Sequence, residues 1–101
     1  MTKLKAIIAT PDIDPIARDV WTYMRKHWLE FEYASVAMNR FPSGQLCPNI
    51  QENIRNRELY LFHSAALPDP NTGLMALFLT LGAARLASAE RINLFLPFYP
   101  Y

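Results

Sequence analysis

The chain has 101 residues, a net charge of +1, 51% apolar residues and 19% charged residues. This length is enough for one small domain, and the composition is that of a folded chain rather than a disordered one. A charge so close to zero gives no electrostatic attraction to nucleic acid or to an anionic membrane, so neither is expected as a partner.

The first third of the chain predicts a strand, a helix and a second strand. Residues 4–9 form an apolar run closed by a Thr-Pro pair, which is typical of a buried strand. Asp12 or Asp14 can then cap a helix in which apolar side chains recur at helical spacing. Capping is favoured over a pair of catalytic carboxylates for these two acids. Residues 32–38 are the second predicted strand.

The middle of the chain, residues 39–57, is interrupted by prolines and a glycine. Around Pro48 the apolar residues alternate with polar ones, which is the period of a strand. Because proline cannot lie in a central strand, the segment predicts an edge strand or a projecting hairpin. Residues 58–64 predict a further strand, followed by a loop over 66–73 in which Asn71 or Thr72 caps the next helix.

The last third predicts a helix and a strand. Residues 74–89 are rich in Leu and Ala and predict a helix that is apolar on almost every side, which therefore requires cover on more than one side. Residues 91–98 predict a last buried strand. Strand–helix–strand, hairpin, strand–helix–strand is the order of an α/β fold, with a mostly parallel sheet and flanking helices.

Few residues carry visible chemistry. Three glycines are too few for a phosphate-binding glycine loop, which excludes a P-loop enzyme. His27 and His63 have no carboxylate or cysteine at ligand spacing, so no metal site is expected within the chain. His63 follows a predicted strand, where functional residues gather, but a core histidine with satisfied hydrogen bonds is the favoured interpretation. Cys47, the only cysteine, is interpreted as a small apolar residue. A single cysteine and the lack of a signal segment predict a cytoplasmic location.

From Arg40 onward the sequence resembles the ribose-phosphate pyrophosphokinases (phosphoribosyl pyrophosphate synthetases). Their flag-like loop R-F-x-D-G-E reads RFPSGQ here, and the turn that follows the next strand reads ENIRNR. Their next strand ends Q-S, which is H-S here at His63, and their A-S-A-x-R-I-x-x-x-x-P segment reads ASAERINLFLP. The resemblance implies a type I phosphoribosyltransferase-like fold with a flag-like hairpin. It also implies that residues 1–101 are the N-terminal part of the first of two such domains, with the rest of the enzyme absent.

The resemblance implies transfer of diphosphate from ATP to ribose 5-phosphate, giving phosphoribosyl pyrophosphate and AMP for nucleotide biosynthesis. It further implies a homo-oligomer, and Mg²⁺ held by residues outside this chain, so the isolated chain is predicted to be inactive. Family residues that contact adenine, typically in a neighbouring subunit's site, match Phe41, Ser43 and Gln45. Those of a regulatory phosphate site between subunits match Arg55 and Ser88.

Two departures from the family pattern keep other functions open. Ser43 replaces an Asp or Asn, and Gln45 replaces a Glu. A non-catalytic homologue that associates with and regulates synthetases is therefore the alternative. A stand-alone binding domain is a further one, and a proline-stiffened hairpin without any ligand is the purely structural interpretation of the flag.

Overall fold

The computed structural model describes residues 4–27, 31–64 and 69–98. These residues form strands and helices in the predicted order. The elements are β1 (Lys5–Ala9), α1 (Asp14–His27), β2 (Phe31–Arg40), β3 (Leu46–Ile50), β4 (Glu58–Phe62), α2 (Pro70–Leu86) and β5 (Arg91–Phe95).

The strands form one sheet in the order β3-β2-β1-β4-β5. β1, β2, β4 and β5 are parallel, whereas β3 runs antiparallel to β2 at one edge. The first half of β2 pairs with β1, and its second half, residues 36–40, pairs with β3. The β2–β3 hairpin therefore projects beyond the C-terminal ends of the parallel strands. The predicted α/β fold, with a mostly parallel sheet and a flag-like hairpin, is confirmed.

Alternation along the central strands creates two apolar cores, one on each face of the sheet. The face that carries Ile8 and Leu61 packs against α2, and buried Leu77 and Ala84 of that helix complete this core. The opposite face, which carries Ile7, packs against α1. Both faces of the sheet are thus covered by a helix, as parallel sheets require.

Some predicted boundaries were wrong. α2 begins at Pro70 rather than at residue 74, because Asp69 is its N-cap in place of Asn71 or Thr72. The Asp69 carboxylate accepts hydrogen bonds from the Thr72 amide and hydroxyl, both at 3.0 Å. α2 ends at Leu86, three residues before the predicted end. β2 is longer at both ends than predicted, while β4 and β5 are shorter than predicted at their C-terminal ends. Part of the predicted loop over 66–73 lies outside the described residues.

The outer side of α2 is only partly covered. Met75, Phe78, Leu79 and Leu86 are all exposed, and Leu86 retains 90% of its accessible surface. The sequence predicted that α2 packs against other residues on more than one side. Residues 4–27, 31–64 and 69–98 do not supply a packing partner for this second side. Within the same ranges, no helix has both the length and the apolar character needed to cross a membrane.

Candidate functional site

A cleft lies at the C-terminal ends of the parallel strands, between the β2–β3 hairpin and the start of α2. It consists of an inner cavity of about 220 Å³ and an outer cavity of about 520 Å³. Arg40, Leu46 and Thr72 line both cavities. The cleft opens beside the ends of β1 and β4, which are neighbours in the sheet but lead to helices on opposite faces. Ligands of open α/β sheets bind at such switch points.

The hairpin turn is held by its own backbone. The Phe41 amide donates to the Gln45 carbonyl oxygen, and the Gly44 amide donates to that of Phe41, both at 2.8 Å. Gly44 has a φ of 93°, a conformation that favours glycine. Nη1 of Arg40 donates to the Gly44 carbonyl oxygen at 2.7 Å. The turn is therefore a defined structure on which side chains are presented to solvent.

The predicted nucleotide-binding residues lie together on this turn but face different surroundings. Phe41 is 51% exposed, so about half of its surface is free for contact with a ligand. Gln45 lines the outer cavity with Asn71, Met75 and Leu79 of α2. Ser43 lies in the exposed turn and does not line either cavity of the cleft. The structure thus brings Gln45, and not the whole predicted set, into the cleft of its own chain.

The floor of the inner cavity holds a buried chain of hydrogen bonds. The two ring nitrogens of His63 contact the Thr10 hydroxyl, at 2.7 Å, and the Gly73 carbonyl oxygen, at 2.8 Å. The Thr10 hydroxyl donates to Oδ1 of Asp12 at 2.5 Å. Oδ2 of Asp12 is buried and has no hydrogen-bond partner among the described residues. The prediction of a core histidine with satisfied hydrogen bonds is confirmed, since His63 is 2% exposed.

The prediction that Asp12 or Asp14 caps α1 was wrong. Asp12 lies before α1 and takes the Thr10 hydroxyl as its partner. The Asp14 carboxylate accepts from Arg18 at 2.7 Å and from the Tyr33 hydroxyl, so side chains occupy both of its oxygens. Burial, and then the bond to Asp14, raise the pKa of Tyr33 above its ordinary value of 10.0. The two acids serve separate contacts and do not form a catalytic pair.

The residues of the predicted regulatory site lie at the opposite ends of the strands, in the loops that precede β4 and β5. The Asn56 amide donates to the Ser88 carbonyl oxygen at 2.8 Å, and the Glu90 amide donates to that of Arg57 at 2.9 Å. Arg55 is exposed beside this junction. The structure therefore brings together the two loops that carry Arg55 and Ser88, although more than 30 positions separate these residues in the sequence.

Sequence analysis missed Thr10 and Arg40 as site residues. Thr10 directly follows β1, and residues at the ends of parallel strands are common in ligand sites; this position was the available signal. Arg40 was read as part of the flag motif alone. Its place at the base of the hairpin, where it lines both cavities, follows from the pairing of β2 with β3.

Sequence comparisons relate the chain to one family of proteins. Residues 6–101 match the family described as the N-terminal domain of ribose phosphate pyrophosphokinase. The chain is 34% identical over 70 residues to the ribose-phosphate pyrophosphokinase of Bacillus caldolyticus, over 69% of this chain and 22% of that protein. It is 32% identical over 94 residues to the same enzyme of Haemophilus ducreyi, over 90% of this chain and 29% of that protein.

Solved structures show the same relationship. The phosphoribosylpyrophosphate synthetase from Mycobacterium smegmatis superposes with a TM-score of 0.73 at 26% identity, over 98% of this chain and 31% of that one. The hypoxanthine-guanine phosphoribosyl transferase of L. donovani, at 8% identity, has a TM-score of 0.61 over 93% of this chain and 53% of that one, which is a likeness of fold alone. The predicted phosphoribosyltransferase-like fold is confirmed. The chain spans less than a third of the length of the synthetases compared.

Proposed function

Because the chain belongs to the ribose-phosphate pyrophosphokinase family, we propose that it serves the transfer of the β,γ-diphosphoryl group of ATP to the 1-hydroxyl of ribose 5-phosphate. The products are phosphoribosyl pyrophosphate and AMP. The observation that carries this proposal is the match to the family's N-terminal domain from residue 6 to residue 101. Apart from the departures at Ser43 and Gln45, no observation on the described residues favours the non-catalytic alternative.

We assign the adenine of ATP to the flag-like hairpin. The half-exposed ring of Phe41, on a turn fixed by its own backbone bonds, is suited to stacking on a base. The side-chain carbonyl of Gln45 can accept from the adenine amino group, as the family's carboxylate would. Ser43 supplies a shorter polar contact. The hairpin projects from the domain, which supports a shared site in a homo-oligomer, where the flag of one subunit contacts the ATP of the next.

Diphosphoryl transfer depends on positioning and on neutralising the charge of the phosphates. Bound Mg²⁺ supplies that neutralisation, and we propose it as the cofactor of the activity. Among residues 4–27, 31–64 and 69–98, however, no three His, Cys, Asp or Glu side chains form a group that could hold a metal ion. We assign no described residue to Mg²⁺ and propose that its ligands, like the ribose 5-phosphate site, lie outside the described residues.

We propose a regulatory phosphate site at the junction of the loops that carry Arg55 and Ser88. Arg55 is exposed, and a guanidinium is the side chain best suited to a phosphate group. Ser88 has a φ of 68°, and Asn56, to whose amide it is bonded, has a φ of 62°. These left-handed conformations are unusual for residues other than glycine, and the backbone hydrogen bonds from Asn56 to Ser88 and from Glu90 to Arg57 join the two loops.

We propose that this chain is the N-terminal part of a longer enzyme, and the activity is tested with that longer protein, purified and supplied with ATP, ribose 5-phosphate and Mg²⁺. We expect AMP and phosphoribosyl pyrophosphate to form in equal amounts, and only when both substrates are present. Omission of ribose 5-phosphate is the control that separates transfer from simple ATP hydrolysis. A folded protein that releases no AMP, or that releases it without ribose 5-phosphate, would contradict the proposed reaction.

A further inference from the structure

The exposed residues on the outer side of α2 form one continuous stripe along the helix. They recur at intervals of three and four positions and therefore share one helical face. We call this face the outer stripe, and its members are Met75, Phe78, Leu79, Gly82 and Leu86. A free side chain of this size exposes roughly 150–200 Å², so the four apolar side chains of the stripe expose roughly 400 Å² in total. An apolar patch of this size often marks an interaction site.

Gly82, at the centre of the stripe, has no structural reason within the described part of the chain. It lies inside α2, where glycine is less favourable than alanine. Its φ is not positive, and a methyl group placed on its Cα would meet no atom within 4 Å. What glycine offers at such a position is the close approach of another backbone. The stripe therefore has the features of a helix-crossing surface whose second helix is not among the described residues.

The outer stripe is arranged symmetrically about Gly82. Phe78 and Leu86 lie four positions before and four positions after it. If two α2 helices cross antiparallel at Gly82, Phe78 of one copy meets Leu86 of the other, and a two-fold axis repeats this contact. The most exposed side chain of the stripe, Leu86, is thereby matched with its only aromatic ring. A surface that complements itself in this way fits a second copy of the same chain.

The charge next to the stripe favours the antiparallel orientation. Arg85 is exposed in the last turn of α2, beside Leu86. In a parallel pair the Arg85 side chains of the two copies would lie side by side, and contact between like charges is unfavourable. In an antiparallel pair that crosses at Gly82, Arg85 of one copy instead approaches Leu79 of the other, and the two guanidinium groups lie at opposite ends of the contact.

We propose that the outer stripe of α2 is an interface between two copies of this chain, which are related by a two-fold axis at Gly82 and have their α2 helices antiparallel. A standard interface buries about 800 Å² on each partner, so the stripe supplies its apolar centre and neighbouring residues supply its rim. Met75 and Leu79 also line the outer cavity, so the second copy lies next to the cleft. This interface is separate from any contact of the flag, and the inference does not depend on the proposed reaction.

Replacement of Gly82 by alanine tests the crossing point, because it has opposite effects on the fold and on the dimer. Sedimentation velocity of the 101-residue chain over a concentration series should show a monomer–dimer equilibrium. The methyl groups that Gly82→Ala adds at the crossing should raise the dissociation constant of the dimer about tenfold or more. At a dilution at which the chain sediments as a monomer, the same change should raise the folding equilibrium constant in urea about fivefold. A chain that stays monomeric, or a Gly82→Ala dimer as tight as the unmodified one, would overturn the proposal.

A matched pair of lysine substitutions tests whether the stripe, rather than any exposed apolar side chain, forms the interface. Leu86→Lys should abolish the dimer. Ile16→Lys should leave it unchanged, because Ile16 is 61% exposed on α1, on the other face of the sheet. Equal losses in the two variants would show unspecific association and overturn the proposal. In the longer protein, Leu86→Lys should reduce the size of the oligomer, and an unchanged oligomer would show that a segment of the same protein covers the stripe.

Disulfide formation tests the antiparallel arrangement. Cys47 is the only cysteine, so Cys47→Ser provides a background without thiols. In that background, Phe78→Cys and Leu86→Cys are made in separate chains, which are oxidised alone and as a mixture. The mixture should form disulfide-linked dimers at least about tenfold faster than either chain alone, because a disulfide requires Cα atoms within about 7 Å. Equal rates in the mixture and in the separate chains would overturn the antiparallel two-fold arrangement.

Discussion

Replacement of Phe41 by alanine in the longer protein should weaken the binding of ATP without weakening the fold. The ring is 51% exposed at the base of the hairpin turn, so little apolar packing is lost when it is removed. Surface changes of this kind alter the free energy of unfolding by less than about 0.5 kcal/mol. A lost stacking contact with a base costs about 1–3 kcal/mol. The KM for ATP should therefore rise roughly 5- to 150-fold.

The assay is steady-state release of AMP, with ATP varied at saturating ribose 5-phosphate and then the reverse. The KM for ribose 5-phosphate should change by much less than that for ATP, because the flag is assigned to adenine alone. Phe41→Tyr keeps an aromatic face and should behave as the unmodified enzyme. Phe41→Leu keeps apolar bulk without a π-face and should resemble Phe41→Ala.

Two results would refute this reasoning. An ATP KM that is unchanged in Phe41→Ala, with thermal unfolding also unchanged, would show that the hairpin ring is not a nucleotide contact. An ATP KM that rises equally in Phe41→Ala and Phe41→Tyr would show that aromatic stacking is not the interaction lost. The same conclusion would follow if the ATP KM rose in Phe41→Ala but not in Phe41→Leu. The first result would make the hairpin a structural extension without a ligand, and the second would leave it as a nucleotide contact of another kind.

Three further predictions concern the chain itself. Leu59→Ala should lower the free energy of unfolding in urea by about 2–5 kcal/mol because Leu59 is wholly buried, whereas the control Leu86→Ala, at a side chain that is 90% exposed, should change it little; equal losses would contradict the assigned core. The backbone and side-chain hydrogen bonds from Thr72 lower the pKa of Asp69 below its ordinary 3.8, so its stabilisation is complete above that value and is lost as the pH falls through the lower, folded-state pKa. The stability difference between the unmodified chain and Asp69→Ala should therefore shrink on acidification below pH 3.8, and a difference that is constant with pH would argue against the cap. The isolated 101-residue chain should release no AMP from ATP and ribose 5-phosphate in a coupled assay, and detectable release would place the catalytic groups within it.

Local sequence patterns were enough to predict the order of elements and the character of the hairpin. The alternation around Pro48, together with the exclusion of proline from central strands, indicated an edge strand, and β3 lies at the edge of the sheet. Asp69 followed by Pro70 is a cap followed by a first-turn proline, and this signal was available too. It was outweighed by the loop-like composition of its neighbours, which is why α2 was predicted to start too late.

Contacts between distant segments could not be predicted in the same way. His63 and Thr10 are 53 positions apart, and only the pairing of β1 with β4 brings them together. Asp12 has the residue type and the sequence position of a helix cap, and nothing in its local sequence shows that the Thr10 hydroxyl is its partner. The lining of the cleft likewise depends on where α2 begins relative to the hairpin, which is a tertiary property.

Because β2 pairs with β1 in its first half and with β3 in its second half, the hairpin is a projecting arm of fixed length that the sheet supports at one end. Five residues of β2, 36–40, extend past the last residue of β2 that pairs with β1, which corresponds to an arm of roughly 17 Å. Adding one residue to each strand of the arm would turn Phe41 toward the opposite face, because side chains alternate along a strand. Adding two to each strand would restore the facing and lengthen the arm by roughly 7 Å. The reach of the flag is therefore adjustable in discrete steps, independently of the sheet that anchors it.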